Sequence, residues 1–332
     1  MAFRIGINGF GRIGRLVTRL IAASDGALVI SHINDPALEP AQAAYLLSFD
    51  SVHGRWPFTA EATADGLLLN GKMVSYSRER DPQQLHWQER VDLVIDCSGR
   101  LKNQTEVEAF LAAGVPRVLV SQPVEGIPNI VIGVNDHSLD LHKATAVCAA
   151  SCTTNCLAPV VHVLHQAFTI IGGLVTTIHG LTNDQALLDQ AHSDWRRGRA
   201  AGSSLIPTSS GFAKAIGRVI PELAGKLEGF AIRAPVTNAS LIDACLQVKE
   251  ATTAAAVNAA LAAAAQGTLR NILAMETRPL VSADFRGDRH SATVDTALTQ
   301  VMDGHLVKIV AWYDNETGYS HRLTELARKL FP

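Results

Sequence analysis

Ala150-Ser151-Cys152-Thr153-Thr154-Asn155-Cys156 is the stretch of this chain best suited to covalent chemistry. Small and polar residues there precede an apolar run of helical period that reaches Phe168. Ser151 reads as an N-cap, because its hydroxyl can accept from an amide two or three residues on, and that puts Cys152 in the first helical turn. Unpaired N–H groups gather at a helix start, so a thiolate at Cys152 is favoured and its pKa is expected to fall. Cys156 comes one turn later on the same face and reads as a buried structural thiol. A catalytic thiol needs a neighbouring base. Thr176-Thr177-Ile178-His179-Gly180-Leu181-Thr182 supplies one, with His179 closing a strand shortly after the cysteine helix. The chain has 12 histidines, so His179 stands out only through its company. Read alone, such a histidine is more often a satisfied structural imidazole, and Cys152 reads equally well as a structural thiol or a reactive one.

Gly9-Phe10-Gly11-Arg12-Ile13-Gly14 offers a different chemistry, the grip on a pyrophosphate. Gly9 permits a tight turn, Gly11 lets the backbone approach phosphate oxygens, and Gly14 lets the following helix sit close to its strand. Asp35 stands at the end of the second strand, about 20 residues beyond the last glycine, where an acid bonds the hydroxyls of an adenosine ribose. A carboxylate there repels a 2′-phosphate, which favours NAD over NADP. The plainer readings are a glycine-rich turn and an Asn-Asp-Pro turn. A third set is cationic and hydroxylic: Arg196, Arg197 and Arg199, then Ser209-Ser210-Gly211 with Lys214, then Arg233. It is either a solvated basic loop or a phosphate receptor, for which guanidinium forks are well shaped.

The elements that must carry these groups change character midway. Phe3 to Asn8, Leu28 to Asn34, Val91 to Cys97 and Arg117 to Ser121 read as short buried strands. Helical patterns at Arg12 to Ala23 and Glu106 to Ala113 lie between them. Strands alternating with helices predict a right-handed parallel sheet over residues 1 to about 150. Gly173 to His179, Phe230 to Pro235, Ser240 to Lys249, Thr293 to Val301 and Leu306 to Trp312 are longer and more alternating. They predict a mostly antiparallel sheet backed by helices. Thr317 to Phe331 reads as a helix that packs back on the first domain. The expected fold is therefore α/β, an N-terminal Rossmann-type parallel sheet followed by a C-terminal α+β catalytic domain. The expected division is 1–150, 151–316 and 317–332.

Bulk properties narrow the function. The 332 residues are 47% hydrophobic and 18% charged, enough to fill sizeable cores. A net charge of −2 gives no field for holding nucleic acid or an acidic membrane, so neither is expected as the main partner. The cysteines at 97, 148, 152, 156 and 245 form no disulfide framework and lack histidines at zinc spacing, so no metal is expected. A reducing cytoplasm is the expected compartment, and no segment reads as a signal peptide or membrane span.

Asn8 to Arg15, Ala150 to Pro159, Pro221-Glu222-Leu223-Ala224-Gly225-Lys226-Leu227 and Trp312-Tyr313-Asp314-Asn315-Glu316 resemble the glyceraldehyde-3-phosphate dehydrogenases, and the similarity runs through essentially the whole chain. The resemblance implies that Cys152 is the nucleophile and His179 the general base of an NAD-dependent, phosphorylating aldehyde oxidation. Thr182 and Arg233 then match the site for the substrate's C3 phosphate. Ser151, Thr153, Ser210, Gly211 and Arg197 match the region that receives inorganic phosphate. Arg12 and Ile13 match the turn under the pyrophosphate, Arg80 and Ser121 the adenine and nicotinamide ends, and Asn315 the residue that orients the nicotinamide amide, with Tyr319 nearby. Gln185 to Ala201 matches a loop that reaches a neighbouring subunit, so a homotetramer is implied.

Four positions depart from the family pattern. Ser210 stands where threonine is frequent, Thr317 where an aromatic is usual, and Gln190-Ala191 where many strictly NAD-using members have Leu-Pro. Phe49 to Trp56, Asn129 to His137 and Arg278 to Asp284 resemble members associated with arsenate resistance, in which arsenate replaces phosphate as the attacking oxyanion. Two other functions fit parts of the pattern. One is an erythrose-4-phosphate dehydrogenase that resolves its thioester with water. The other is a catalytically silent nucleotide- or RNA-binding protein on the same scaffold. Thr182, Ser209-Ser210-Gly211 and Lys214 favour phosphate over water, and the intact cysteine and histidine argue against silence.

Overall fold

The computed structural model describes residues 2–332 apart from 82, 83, 86, 88 and 89. The chain divides into two compact units. One holds Met1–Ile130, Asp136–Ala150 and Ser320–Pro332, the other Val131–Asn135 and Ser151–Tyr319. This boundary differs from the expected division at 131–135 and at 317–319.

The first unit begins with β1 (Phe3–Asn8), α1 (Arg12–Ala22), β2 (Leu28–Asn34) and α2 (Pro40–Ser48). A small hairpin of β3 (Phe49–Asp50) and β4 (Gly54–Arg55) follows, then β5 (Ala60–Thr63), β6 (Gly66–Leu69) and β7 (Lys72–Ser77). The chain continues through β8 (Leu93–Asp96), α3 (Gln104–Ala112), β9 (Val118–Val120) and β10 (Ala146–Cys148). The sheet runs β10-β9-β8-β1-β2-β7-β6-β5. Every pair from β10 to β7 is parallel, and only the β7-β6-β5 edge is antiparallel. Ile5 and Ile7 of β1, Ile33 of β2 and Leu93, Val94 and Ile95 of β8 are all fully buried. Burial of the sheet on both faces is why these strands read as unbroken apolar runs. The parallel sheet is as expected, whereas the β5–β6 meander had no strong period and was missed.

The second unit holds α4 (Cys152–Phe168), β11 (Ile170–His179), β12 (Ile206–Thr208), α5 (Phe212–Val219), β13 (Leu227–Arg233) and β14 (Ser240–Val248). After α6 (Ala254–Gln266) come β15 (Leu273–Glu276), β16 (Ala292–Asp295), β17 (Gln300–Met302) and β18 (Leu306–Tyr313). The sheet order is β12-β13-β11-β14-β18-β16-β15, with β17 beside β18, and its pairs are antiparallel except β11–β13 and β15–β16. The expected antiparallel α+β arrangement is thus present. The single strand predicted from Thr293 to Val301 is not. A 3-10 turn at Thr296–Leu298 splits it, because Thr296 donates to the Glu276 carbonyl and Thr299 to Asn258, taking the chain off the ladder. The last helix, α7 (Thr317–Lys329), is the one predicted from Thr317, and the boundary between units falls inside it.

Candidate active site

Ala150 adopts a left-handed conformation (φ 53°) just before Cys152. Such a backbone costs on the order of 1 kcal/mol in a residue with a Cβ and tends to occur where a side chain must be presented. Ser151 then caps α4 as expected, its Oγ accepting from the Thr154 amide at 3.1 Å. Cys152 opens the helix with its thiol half-buried, and Cys156 lies fully buried one turn on. Cys152 Sγ stands 3.5 Å from His179 Nε2, so two residues 27 apart in the chain form one thiol–imidazole pair.

The ends of four neighbouring strands enclose this pair. His179 ends β11 and lies in register with Arg233, which ends β13. Ser240 begins β14 in register with Tyr313, which ends β18. His179 Nδ1 lies 2.6 Å from the Gly180 carbonyl and 2.6 Å from Arg233 Nη1. The ring nitrogen is therefore contested: it can donate to the carbonyl or accept from the guanidinium, and the choice decides whether Nε2 meets the thiol as acceptor or donor. Burial, reinforced by the Arg233 charge, pushes the His179 pKa down to about 3, so the ring is neutral at pH 7.

Cys152 itself departs from expectation. Burial pushes its thiol up, and the Arg233 charge with the Thr153 hydroxyl and amide pulls down without overturning that shift. The helix start was expected to win, but desolvation of the sulfur outweighs it in this geometry. Burial thus favours the thiol over the thiolate at Cys152, beside an imidazole that burial keeps uncharged.

Tyr313 was quoted in the sequence motif but given no role. Its ring meets the His179 ring edge-on at 5.9 Å, and its hydroxyl lies 3.0 Å from Thr153 Oγ1 and 2.8 Å from Thr177 Oγ1. Thr177 donates its one proton to the Leu241 carbonyl, so Tyr313 must donate to Thr177 and accept from Thr153. This chain of hydroxyls ties the helix of the nucleophile to the strand of the base. No periodicity could have shown it, because its members are 136 and 160 residues apart from Tyr313.

The expected phosphate receptors are less concentrated. Arg233 sits beside His179, and its Nε is buried without a hydrogen-bond partner. Thr182 is exposed and bonds Gln185. Arg197 is braced by Asp184 at 2.7 Å and Thr208 at 2.7 Å and acts on Arg233 through charge rather than contact. Ser210 and Gly211 stand at the start of α5, where Gly211 leaves the helix without a side-chain cap.

In the first unit, Asn8, Gly9, Gly11, Asp35, Arg80 and Ser98 line a groove. Gly9 has φ 89°, and a Cβ there would meet the Ser98 backbone at 2.6 Å, whereas one on Gly11 would meet nothing within 4 Å. A Cβ on Gly14 would meet the Gly9 carbonyl at 2.2 Å. Gly9 and Gly14 are thus forced by packing, and Gly11 leaves space beside the backbone. Helix α1 starts at Gly11 with no capping side chain and no acid in its first turn, which leaves donors for an anion. Asp35 accepts from the amides of Phe10 at 2.7 Å and Ala37 at 2.8 Å, which fixes its carboxylate at the groove. These residues fit a dinucleotide. Arg12 is paired with Asp50 at 2.5 Å, Ile13 is half-buried, and Ser121 follows β9, its amide bonded to the Asp96 carbonyl. In the second unit, Asn315 is buried and bonded to Ser240, and Tyr319 is buried in α7. Among the described residues, no group of three or more histidine, cysteine or acidic side chains could hold a metal.

Residues 151–315 match the C-terminal domain of glyceraldehyde 3-phosphate dehydrogenase, and residues 3–104 match the NAD binding domain of the same family. Glyceraldehyde-3-phosphate dehydrogenase of Geobacillus stearothermophilus is 46% identical over 98% of both chains. Glyceraldehyde-3-phosphate dehydrogenase 3 of Nostoc sp. is 48% identical over 99% of this chain and 98% of its own. Glyceraldehyde-3-phosphate dehydrogenase 1 of Bacillus subtilis is 45% identical over 98% of both.

Proposed function

Because this chain belongs to the glyceraldehyde 3-phosphate dehydrogenase family, we propose that it oxidises glyceraldehyde 3-phosphate with NAD through a thioester on Cys152, resolved by inorganic phosphate. The observation that carries this reading is the approach of Cys152 Sγ to His179 Nε2 at 3.5 Å. As sulfur bonds to the aldehyde carbon, the thiol proton passes to Nε2 and returns to the new oxyanion, leaving a thiohemiacetal and a neutral ring. His179 then takes the hydroxyl proton as the carbonyl re-forms, a task for which a ring held neutral at working pH is suited. NAD, when bound, accepts the hydride that leaves the same carbon. Phosphate attack on the resulting thioester expels sulfur and yields an acyl phosphate.

The remaining residues take roles around that core. Arg233 and Thr182 receive the substrate's phosphate. The buried, unpartnered Nε of Arg233 supports this, since an anion would supply its missing acceptor. Withdrawal of Arg233 toward that anion leaves the Gly180 carbonyl as sole partner of Nδ1 and turns the Nε2 lone pair to the thiol. Ser151, Thr153, Arg197, Ser210 and Gly211 surround the attacking phosphate. Gly9, Gly11, Arg12, Ile13, Gly14, Asp35, Arg80 and Ser121 hold the dinucleotide, with Asn315 and Tyr319 at its nicotinamide end. Residues 1–150 serve as the NAD-binding domain and 151–316 as the catalytic domain, with 317–332 returning to the first.

Arsenate, a near-isostere of phosphate, is proposed as a second oxyanion and an arsenate-resistance role as its use, on the branch motifs noted above. Cysteines that form no disulfide suit a reducing cytoplasm, and among the described residues no helix is long and apolar enough to cross a membrane. Exposed Leu187, Leu188 and Trp195 in the segment after Thr182 suit subunit contact and a homotetramer.

The test is NADH formation by wild type and Cys152→Ser with glyceraldehyde 3-phosphate, supplied with phosphate, arsenate or neither. Wild type should turn over with either oxyanion and stall without, and Cys152→Ser should be silent while still binding NAD. Unchanged turnover in Cys152→Ser would sink the proposal, and indifference to the oxyanion would remove its phosphorylating half.

A further inference from the structure

The side chain of Asn315 can present either face of its amide, and the two faces ask for opposite partners on a ligand. Its carbonyl oxygen accepts, and its amide nitrogen donates. The backbone around Asn315 is fixed independently. The Asp314 carboxylate, itself buried, accepts from the Glu316 and Thr317 amides at 2.8 and 2.7 Å and from Asn238 and the Gly287 amide at 2.9 and 2.7 Å. Those four bonds set the turn and leave the side-chain amide of Asn315 free to rotate by half a turn.

Ser240 removes that freedom. Its side chain is buried, 1% exposed, at the first position of β14. Ser240 Oγ accepts from the Gly180 amide at 3.0 Å and donates to Asn315 Oδ1 at 2.9 Å. Gly180 is the residue whose carbonyl meets His179 Nδ1 at 2.6 Å. One hydroxyl therefore joins the turn behind the base to the amide of Asn315. With Oδ1 occupied, Asn315 offers only its Nδ2 hydrogens, and among the described residues no protein bond is made to that nitrogen.

We infer that Ser240 is a positioning residue for cofactor binding: it holds Asn315 as a hydrogen-bond donor, so that the site selects the carbonyl oxygen of the nicotinamide carboxamide and not its amino group. The inference rests on the proposed use of NAD. It adds a direction to the Asn315 contact and names the residue that enforces it. Flipping Asn315 would turn its amino group to Ser240 Oγ and take away the one acceptor of the buried Ser240 hydroxyl proton, whose loss is the cost that disfavours the flip.

The test compares equilibrium binding of three ligands to wild type and Ser240→Ala by calorimetry. NAD carries both carboxamide faces. Its 3-acetylpyridine analogue keeps the carbonyl and lacks the amino group, and ADP-ribose lacks the ring altogether. Ser240→Ala should weaken NAD and the acetylpyridine analogue by about tenfold each and leave ADP-ribose unchanged. Equal weakening of all three would mean a merely structural role and would overturn the inference, as would an acetylpyridine affinity that does not respond. Ser240→Cys, with a weaker donor, should fall between wild type and alanine and serves if the alanine variant fails to fold. Wild type that binds no NAD would overturn the proposed function and this inference together, an outcome distinct from all the others.

Discussion

Each unit buries a histidine with an arginine at its Nδ1, and the two are not alike. In the first unit His32 is 1% exposed, and its Nδ1 and Nε2 lie 2.7 and 2.8 Å from the hydroxyls of Ser75 and Ser77. Ser75 gives its proton to the Ser31 carbonyl and Ser77 gives its own to Asn34 Oδ1, so both hydroxyls face the ring as acceptors and a neutral imidazole can donate to only one of them. Arg90 stands off at 3.4 Å. In the second unit His179 has a thiol on one nitrogen and two rivals on the other. Burial lowers both rings, His32 to about 4 and His179 to about 3. Burial and a depressed pKa therefore do not mark a base. A thiol within reach of Nε2 is what His179 has and His32 lacks.

The sharpest way to break this comparison is to remove each ring. His179→Asn should lower kcat/KM by about 100- to 10,000-fold, the usual worth of a general base, with NAD affinity kept. His32→Gln should leave turnover within about threefold of wild type, since its partners Ser75, Ser77 and Arg90 lie outside the thiol–imidazole site and its loss acts on stability. Equal losses would show that the facing thiol is not the distinction. Next in size, Arg233→Lys keeps the charge but loses the fork. KM for the aldehyde phosphate should rise by about tenfold or more while NAD binding is unaffected, as steady-state kinetics and calorimetry would show.

Tyr313→Phe leaves Thr153 and Thr177 without their shared hydroxyl. It should cost about 1–3 kcal/mol of unfolding free energy, measured in denaturant, and lower kcat without changing KM for NAD. The smallest effect is on acid stability. Both rings sit below their ordinary 6.5 when folded, so the unfolded chain binds more protons as pH falls from 6.5 toward 4. Stability drops on acidification through that window, and His32→Gln should flatten the slope there. An unaltered slope would mean that His32 does not titrate as its burial demands.

The same contrast explains what could be read from residues alone. The groove of the first unit is built by backbone, so Gly9, Gly11, Gly14 and Asp35 announce it by type and spacing. The capped start of α4 is equally local, and Ser151 and Cys152 were legible there. The pair partner His179 was suggested by chemistry and made specific only by resemblance. Tyr313, Ser240 and Gly180 went unassigned because their roles arise where ladder register brings distant strands to one end. The direction of the Cys152 shift was misjudged for a related reason: a helix start is visible in sequence, whereas desolvation depends on what else packs against the sulfur.

The ladder between β11 and β13 runs without a bulge from Gly173 opposite Leu227 to His179 opposite Arg233. Inserting a single residue into either strand would displace one partner by about 3.3 Å and swing it to the opposite face of the sheet. Evolution can lengthen or trim the excursion that joins these strands, but the count of residues within them is locked by the need for imidazole and guanidinium to arrive together.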